Sequence, residues 1–440
     1  MLKLRYLFRL IIAFISRFKI IIFFGLGLGI IIFFLMKVVG SFVLSKELEI
    51  IGISGRFQRD TLPKEILNNV SDGLTDIDEN GNVTPKLAKS WESPDKGKTW
   101  IFHLDDNIYW QDGKKVDSES LNYDFSDVVI EKPDSKTIIF KLKNEFSPFP
   151  TVVSAPVFKK GLLGTGNWKV TALQMSGGYI QKITMKSKTN QENKYKFYPT
   201  EERAKLAFKL GEINILKGIF NSTPLNNWKN NVIKENIDYS KEVVLFFNNE
   251  DEILSDKNLR QALSYAINKN NLPGERAIGP ISISSWAHNP QVKPYNYDKA
   301  RAQELIDSLP KESKKNLEIK LVTSPLLLDI AENIAKDWES IGIKTFVQVS
   351  SGIPNEYQAL IAIYDIPLDP DQYSLWHSTQ TGSNVANYKD ARIDKLLEAG
   401  RSELSLEERR KIYLDFQRFL LEDAPAVFLY YPKTIDILRK

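Results

Sequence analysis

Cysteine is absent from the 440 residues, and histidine nearly so: His103, His288 and His377 stand far apart. Without cysteine the chain has no thiol nucleophile, no disulfide, no thiolate metal site and no lipobox residue to carry a lipid. None of the histidines sits in a His-Glu-x-x-His arrangement, so the common zinc-hydrolase helix is missing. There is no Gly-x-Ser-x-Gly elbow and no phosphate loop ending in Gly-Lys-Ser/Thr. Gly161, Gly164 and Gly166 lack the spacing of a nucleotide loop and read as a turn. Acidic residues are missing from positions 1–45, where Lys3, Arg5, Arg9, Arg17, Lys19 and Lys37 all occur. Removing these six leaves 53 basic residues against 55 acidic ones. Phosphate binding needs clustered positive charge, so a nucleic-acid partner is not expected.

What is present begins with an apolar run from Ile20 to Met36. As a helix it reaches about 26 Å at roughly 1.5 Å per residue, slightly short of a hydrocarbon core of about 30 Å. Lys37 can snorkel and Val38-Val39-Gly40 can extend it, which gives an expected transmembrane span of about 20–39. Five of the six cations precede the run, so the expected orientation is N-in, with residues 41–440 outside the cytoplasm. A cleaved secretory signal, with Val38 and Gly40 before a cut at Ser41, is the other reading. Both export the body.

The body is long enough for two or more domains, and 42% hydrophobic with 11% aromatic residues suits packed cores. Alternation predicts a strand over 46–54 and another over 99–104, where Trp100, Phe102 and Leu104 share a face. Asp117-Ser118 reads as a cap for a helix over 119–125. Residues 128–131 and 137–143 read as a hairpin, and strands dominate 71–160. Further on, a strand over 317–323, a helix over 326–341 stopped by Gly342, and a strand over 343–349 form a βαβ unit. Helices over 391–401 and 406–422 precede a last strand over 426–431. This alternation is α/β.

Several segments then resemble one family in the right order. Ser71-Asp72-Gly73-Leu74, Asn80-Gly81 and Pro85-Lys86-Leu87-Ala88-Lys89-Ser90-Trp91-Glu92 come first. Gly97 to Leu104, Trp110-Gln111-Asp112-Gly113 and Gly164-Thr165-Gly166-Asn167-Trp168 follow. Gly211 to Ile215, Arg260 to Ile267, Asp369-Pro370-Asp371-Gln372-Tyr373 and Ala424 to Tyr431 complete the set. The pattern is similar to the extracellular solute-binding proteins of family 5, the dipeptide- and oligopeptide-binding subunits of ABC importers.

That resemblance implies a two-lobed, periplasmic-binding-protein-like α/β fold with a trimmed β-rich accessory domain, preceded by the transmembrane helix. The implied division is an anchor over 1–45, a first lobe over 46–270 with 425–440, accessory domain 71–160 within it, and a second lobe over 271–424. Hinges are expected at 266–272 and 423–426, with a ligand between the lobes. It also implies a binding role without catalysis or cofactor, with a peptide ligand and ABC permease subunits as partners. An oligosaccharide or metal chelate is the alternative within the fold, and a surface-anchored hydrolase or peptidase the alternative outside it.

Asp365 lies where the family keeps a carboxylate for the ligand α-ammonium, and Arg56 where its first lobe reaches the ligand. Trp286, Tyr373 and Trp376 are aromatic candidates for the cleft wall, with core packing as their other role. Asp369 and Asp371 read as capping carboxylates in a solvated turn.

Overall fold

The computed structural model describes residues 16–21, 24–25, 27–34, 49–311, 317–354 and 356–440. Among the described residues no helix is long and apolar enough to cross a membrane. The expected span over 20–39 includes residues 22–23, 26 and 35–39, which lie outside the described residues.

Two sheet regions are joined by one strand. In the first, Glu49–Ser54 runs parallel to Glu192–Tyr198 on one side and Ile215–Ile219 on the other, and the hairpin Trp168–Ser176 with Tyr179–Ser187 extends the edge. The helix Glu201–Leu210 packs here. Its Thr200 side chain accepts from Arg203 N, and Gly211 ends it at φ 78°, a left-handed cap that glycine adopts without strain. In the second region, Glu318–Thr323 pairs in parallel with Lys344–Val349 and Ala359–Asp365, and Lys241–Phe247 adds an antiparallel neighbour. The C-terminal strand Ala426–Arg439 belongs to both. Its first half pairs with Lys241–Phe247, and its second half with Ile215–Ile219 and Asn231–Ile237.

Side-chain alternation divides the second region into two cores. Val243, Leu245 and Phe247 face the helices Lys257–Ala266 and Leu328–Glu339, and Trp338 stacks on Phe247 at 6.3 Å. Val244 and Phe246 face the helices Ala391–Ser402 and Leu406–Asp423, with Tyr413, Phe416 and Leu420 fully buried. Each such side chain contributes about 1.5–3 kcal/mol by leaving water.

Sheet pairing and packing therefore group Lys241–Phe247 and Lys257–Ala266 with residues 299–349, whereas the sequence reading grouped them with the first lobe. The chain crosses between the regions at Asp238–Ser240 and again at Tyr431–Lys433. There the Asp238 N–H donates to Pro432 O at 3.0 Å. These crossings differ from the expected hinges at 266–272 and 423–426, both of which lie inside second-region packing.

The accessory sheet orders Ala88–Glu92, Thr99–Leu104, Thr137–Lys141 and Val129–Asp134 around Trp100, Phe102, Ile138, Phe140 and Phe149. The helix expected over 119–125 is reduced to one turn, Ser118–Ser120. Its capping box closes on Asp117, and Leu121 then extends the chain. Gln111 ties this domain to the first lobe by donating to Val70 O, Gly166 O and Trp168 O at 3.0, 3.2 and 2.9 Å. Gly164 packs so tightly there that a Cβ would lie 2.1 Å from Val70 O, which no side chain tolerates.

Candidate functional site: the cleft between the lobes

In open α/β sheets ligands collect beyond the carboxyl ends of parallel strands. On the first lobe that end is Ser54-Gly55-Arg56. A cavity of about 260 Å³ opens beside it, lined by Arg56, Ser176, Tyr179, Gln181, Phe197 and Pro199 among others. Arg56 is exposed, with its guanidinium 5.8 Å from the centre of the Tyr179 ring.

On the second lobe the parallel strand Ala359–Asp365 ends at Asp365, and the turn 366–372 follows. Asp365 points to solvent, with 81% of its side chain exposed, and is paired with Lys241, its register partner on the next strand. Trp376 is 2% exposed and packs on Phe428 and Phe246 at 6.1 Å, so it is core. Tyr373 is half-buried, with the His377 ring and the Arg401 guanidinium each 4.0 Å away. Trp286 is half-buried between Tyr413 at 6.2 Å and Arg409 at 5.4 Å. The structure gathers Trp286 and Tyr373 near one buried charge network, while Asp365 and Trp376 stand apart from it.

That network corrects the reading of a solvated turn. Asp369 and Arg409 are 9% and 6% exposed and form a two-pronged pair at 3.2 and 2.6 Å. Burial alone would pull the Arg409 pKa down, but Asp369 outweighs it and holds the guanidinium above its usual range. Asp371 accepts from Arg401 Nε at 2.9 Å and from Tyr373 N at 3.1 Å. It stands one residue ahead of Gln372, which is the N-cap of the short helix Tyr373–Trp376 and itself makes no side-chain cap bond. Its pKa is raised because burial exceeds the opposing pull of Arg401.

The accessory domain touches this network from the other lobe. Ser147 N donates to Arg401 O at 2.6 Å, Ser147 Oγ to Gly400 O at 3.1 Å, and the Arg401 guanidinium lies 5.2 Å from the Phe146 ring. A Cβ built on Gly81 would sit 3.5 Å from Ser285 and 3.6 Å from Trp286. The two lobes thus meet along the rim formed by 81, 146–147, 285–286 and 400–401.

Sequence reasoning missed Phe146, Ser147, Arg401 and Glu242. Glu242 had a signal. In Lys241-Glu242-Val243-Val244-Leu245-Phe246-Phe247 it shares the parity of Val244 and Phe246 and therefore points inward. It is 0% exposed, and burial drives its pKa well above the carboxylate range, with Arg276 only partly opposing.

A family model for bacterial extracellular solute-binding proteins, family 5 Middle, matches residues 82–384. The chain belongs to that family. Oligopeptide-binding protein AppA of Bacillus subtilis (strain 168) is 23% identical across 86% of this solute-binding protein and 83% of its own length. The nickel-binding periplasmic protein of Escherichia coli (strain K12) is 25% identical across 62% of this chain and 64% of its own. Among solved structures, Bacillus subtilis AppA in complex with a nonapeptide has a TM-score of 0.66 at 21% identity, covering 89% of this chain and 94% of that one. NikZ from Campylobacter jejuni in complex with Ni(L-His) has a TM-score of 0.70 at 24% identity, covering 90% and 94%. These likenesses show the two-lobed α/β fold of periplasmic binding proteins.

Proposed function

We propose that this protein is the extracytoplasmic peptide-binding subunit of an ABC importer, closing its lobes on a peptide and delivering it to the permease. The observation that carries this reading is the similarity to an oligopeptide-binding protein over 86% of the chain. The cleft chemistry supports it. Arg56 beside its cavity suits a ligand carboxylate, and Trp286 and Tyr373 stand half-buried at the rim, bordering the cleft with their edges. The role is capture, with no bond made or broken. A metal chelate is the second reading, since one relative is named for nickel and another for heme. Native mass spectrometry of the purified body tests this: a co-purified peptide mass supports the first reading, and a chelate mass replaces it with the second.

The N-terminal segment is proposed to hold the body at the membrane. Helical residues 27–34 expose Ile30, Ile31, Phe33 and Phe34, an apolar surface suited to lipid. A reporter fused after Lys440 is expected outside the cytoplasm and in the membrane fraction. A soluble body starting near Ser41 would show a cleaved signal.

A further inference from the structure

Glu242 occupies a position where strand alternation calls for an apolar side chain, and neither of its oxygens has a hydrogen-bond partner. Leaving a carboxyl group so placed is costly, so its retention needs a reason. Directly opposite in register is Tyr364, whose hydroxyl is also buried without a partner. Gln372, 0% exposed, donates Nε2 to Pro280 O at 3.2 Å and leaves Oε1 unpartnered.

The neighbours do not supply the missing donors. The Arg276 guanidinium donates to backbone carbonyls instead, Pro294 O at 2.7 Å and Leu429 O at 3.0 Å as well as Ala277 O and Phe428 O. The Tyr431 hydroxyl accepts from Ile283 N at 3.0 Å. Arg276, Tyr364 and Tyr431 are the titratable groups facing Glu242. Behind Tyr364 stand Asp365, paired with Lys241, and Asp371, paired with Arg401.

Once Glu242 gives up its proton, its two oxygens, the Tyr364 hydroxyl oxygen and Gln372 Oε1 are all acceptors, the complement of an ammonium group with its three N–H bonds. The site lies next to the crossing Asp238–Ser240. The segment Ser282–Ser284 alongside it is fastened to that crossing, Ser282 Oγ donating to Tyr239 O at 2.9 Å. Rotation of the lobes about the crossing would therefore move this segment and admit a ligand.

We infer that Glu242, Tyr364 and Gln372 form a receptor for an alkylammonium group of the ligand, exchanging a proton on Glu242 for that cation. The inference rests on the peptide reading, in which a terminal amine or a lysine side chain supplies the group. The balance is simple. The Glu242 carboxyl loses H⁺ to solvent, the ligand ammonium stays charged, and an ion pair replaces a neutral acid, so one proton leaves per ligand.

Calorimetry at pH 7 in buffers of different ionisation enthalpy tests this with trialanine, Ala-Lys-Ala and their N-acetyl forms. Wild type is expected to bind an ammonium-bearing probe and to release protons as it does so, up to one per ligand. Glu242→Gln is expected to lose roughly two orders of magnitude in affinity and the proton release with it. Tyr364→Phe, which removes only the unpartnered hydroxyl, is expected to lose less. Loss of binding on acetylation of trialanine assigns the terminal amine, and retention by acetyl-Ala-Lys-Ala assigns the lysine side chain. Peptide binding that ignores both changes, or a Glu242→Gln variant with unaltered affinity and proton release, overturns the inference while leaving peptide capture standing. If no peptide binds, peptide capture falls, and the same titration with propylamine and 1,4-diaminobutane decides the receptor separately. Glu242-dependent binding with proton release sustains it, and no binding overturns it.

Discussion

Glu242 and Tyr364 are register partners on adjacent antiparallel strands, and the side-chain oxygens of both are buried without hydrogen bonds. The pairing has a consequence for stability. Burial raises the Glu242 pKa in the folded protein well above its ordinary value of 4.5. A raised folded pKa means that the folded state holds the proton more tightly than the unfolded one. The Glu242 contribution to stability is therefore fully present below about pH 4.5 and is lost as pH rises through the folded pKa. Glu242→Gln should remove this slope. Urea denaturation of the unliganded variant should match wild type near pH 4.5 and exceed it at pH 8 by about 1–3 kcal/mol. Parallel pH profiles for the two proteins would show that the carboxyl is not buried as described.

The rim contact between the lobes gives a kinetic prediction. Phe146 reaches the Arg401 guanidinium across the cleft, while Arg401 is also fixed by Asp371 within its own lobe. Phe146→Ala removes this ring contact across the cleft and leaves the Asp371 pair and the Ser147 hydrogen bonds to Gly400 and Arg401 in place. An exposed cation–π contact is worth about 0.5–1 kcal/mol, so ligand release should quicken by roughly two- to fivefold with association little changed. Stopped-flow displacement measures it. An unchanged release rate would place this contact outside the closed state that holds ligand.

Asp369 and Arg409 should behave as a buried pair. Removing one partner of such a pair costs about 3–5 kcal/mol because the other is left charged and unpaired. Asp369→Ala should therefore destabilise the second lobe by that amount in urea. Combining it with Arg409→Met should recover much of the loss. A loss below about 1 kcal/mol, the range of surface pairs, would contradict the burial of this turn.

The regular elements were legible because period and punctuation agreed. Gly342 stops the helix Leu328–Glu339, and the parallel strands on either side follow from the βαβ spacing. Gly164 and Gly166 marked a tight turn, and the structure shows the backbone carbonyls they approach. The division between lobes was not legible, because one strand, Ala426–Arg439, serves both sheets and Lys241–Phe247 pairs with its first half. Nothing in a linear pattern reveals which sheet a buried strand joins. The site was read by chain position, which favoured Asp365. Parity along the strand separates it from Glu242: residue 365 continues the face of Ile361 and Ile363 past the end of the core, while Glu242 lies among Val244, Phe246 and Tyr364. Rim residues such as Ser147 and Arg401 are separated by about 250 positions, and only the fold joins them.

The contrast between the two acids gives the last prediction. Asp365 was expected to hold a ligand ammonium in a dry cleft, but its side chain is 81% exposed and paired with Lys241. An exposed ion pair contributes about 0–1 kcal/mol. Asp365→Asn should therefore change peptide affinity by less than about fivefold, and preference for free over N-acetylated peptide should persist. Raising salt should shrink even this difference, because exposed charges are screened within about 8–10 Å at physiological ionic strength. Where the terminal amine is the group bound at Glu242, Glu242→Gln, measured beside it, should abolish the preference at both salt concentrations, since a buried charge is screened little. A large, salt-resistant loss in Asp365→Asn would return the ammonium to Asp365 and require Lys241 to swing away when ligand enters.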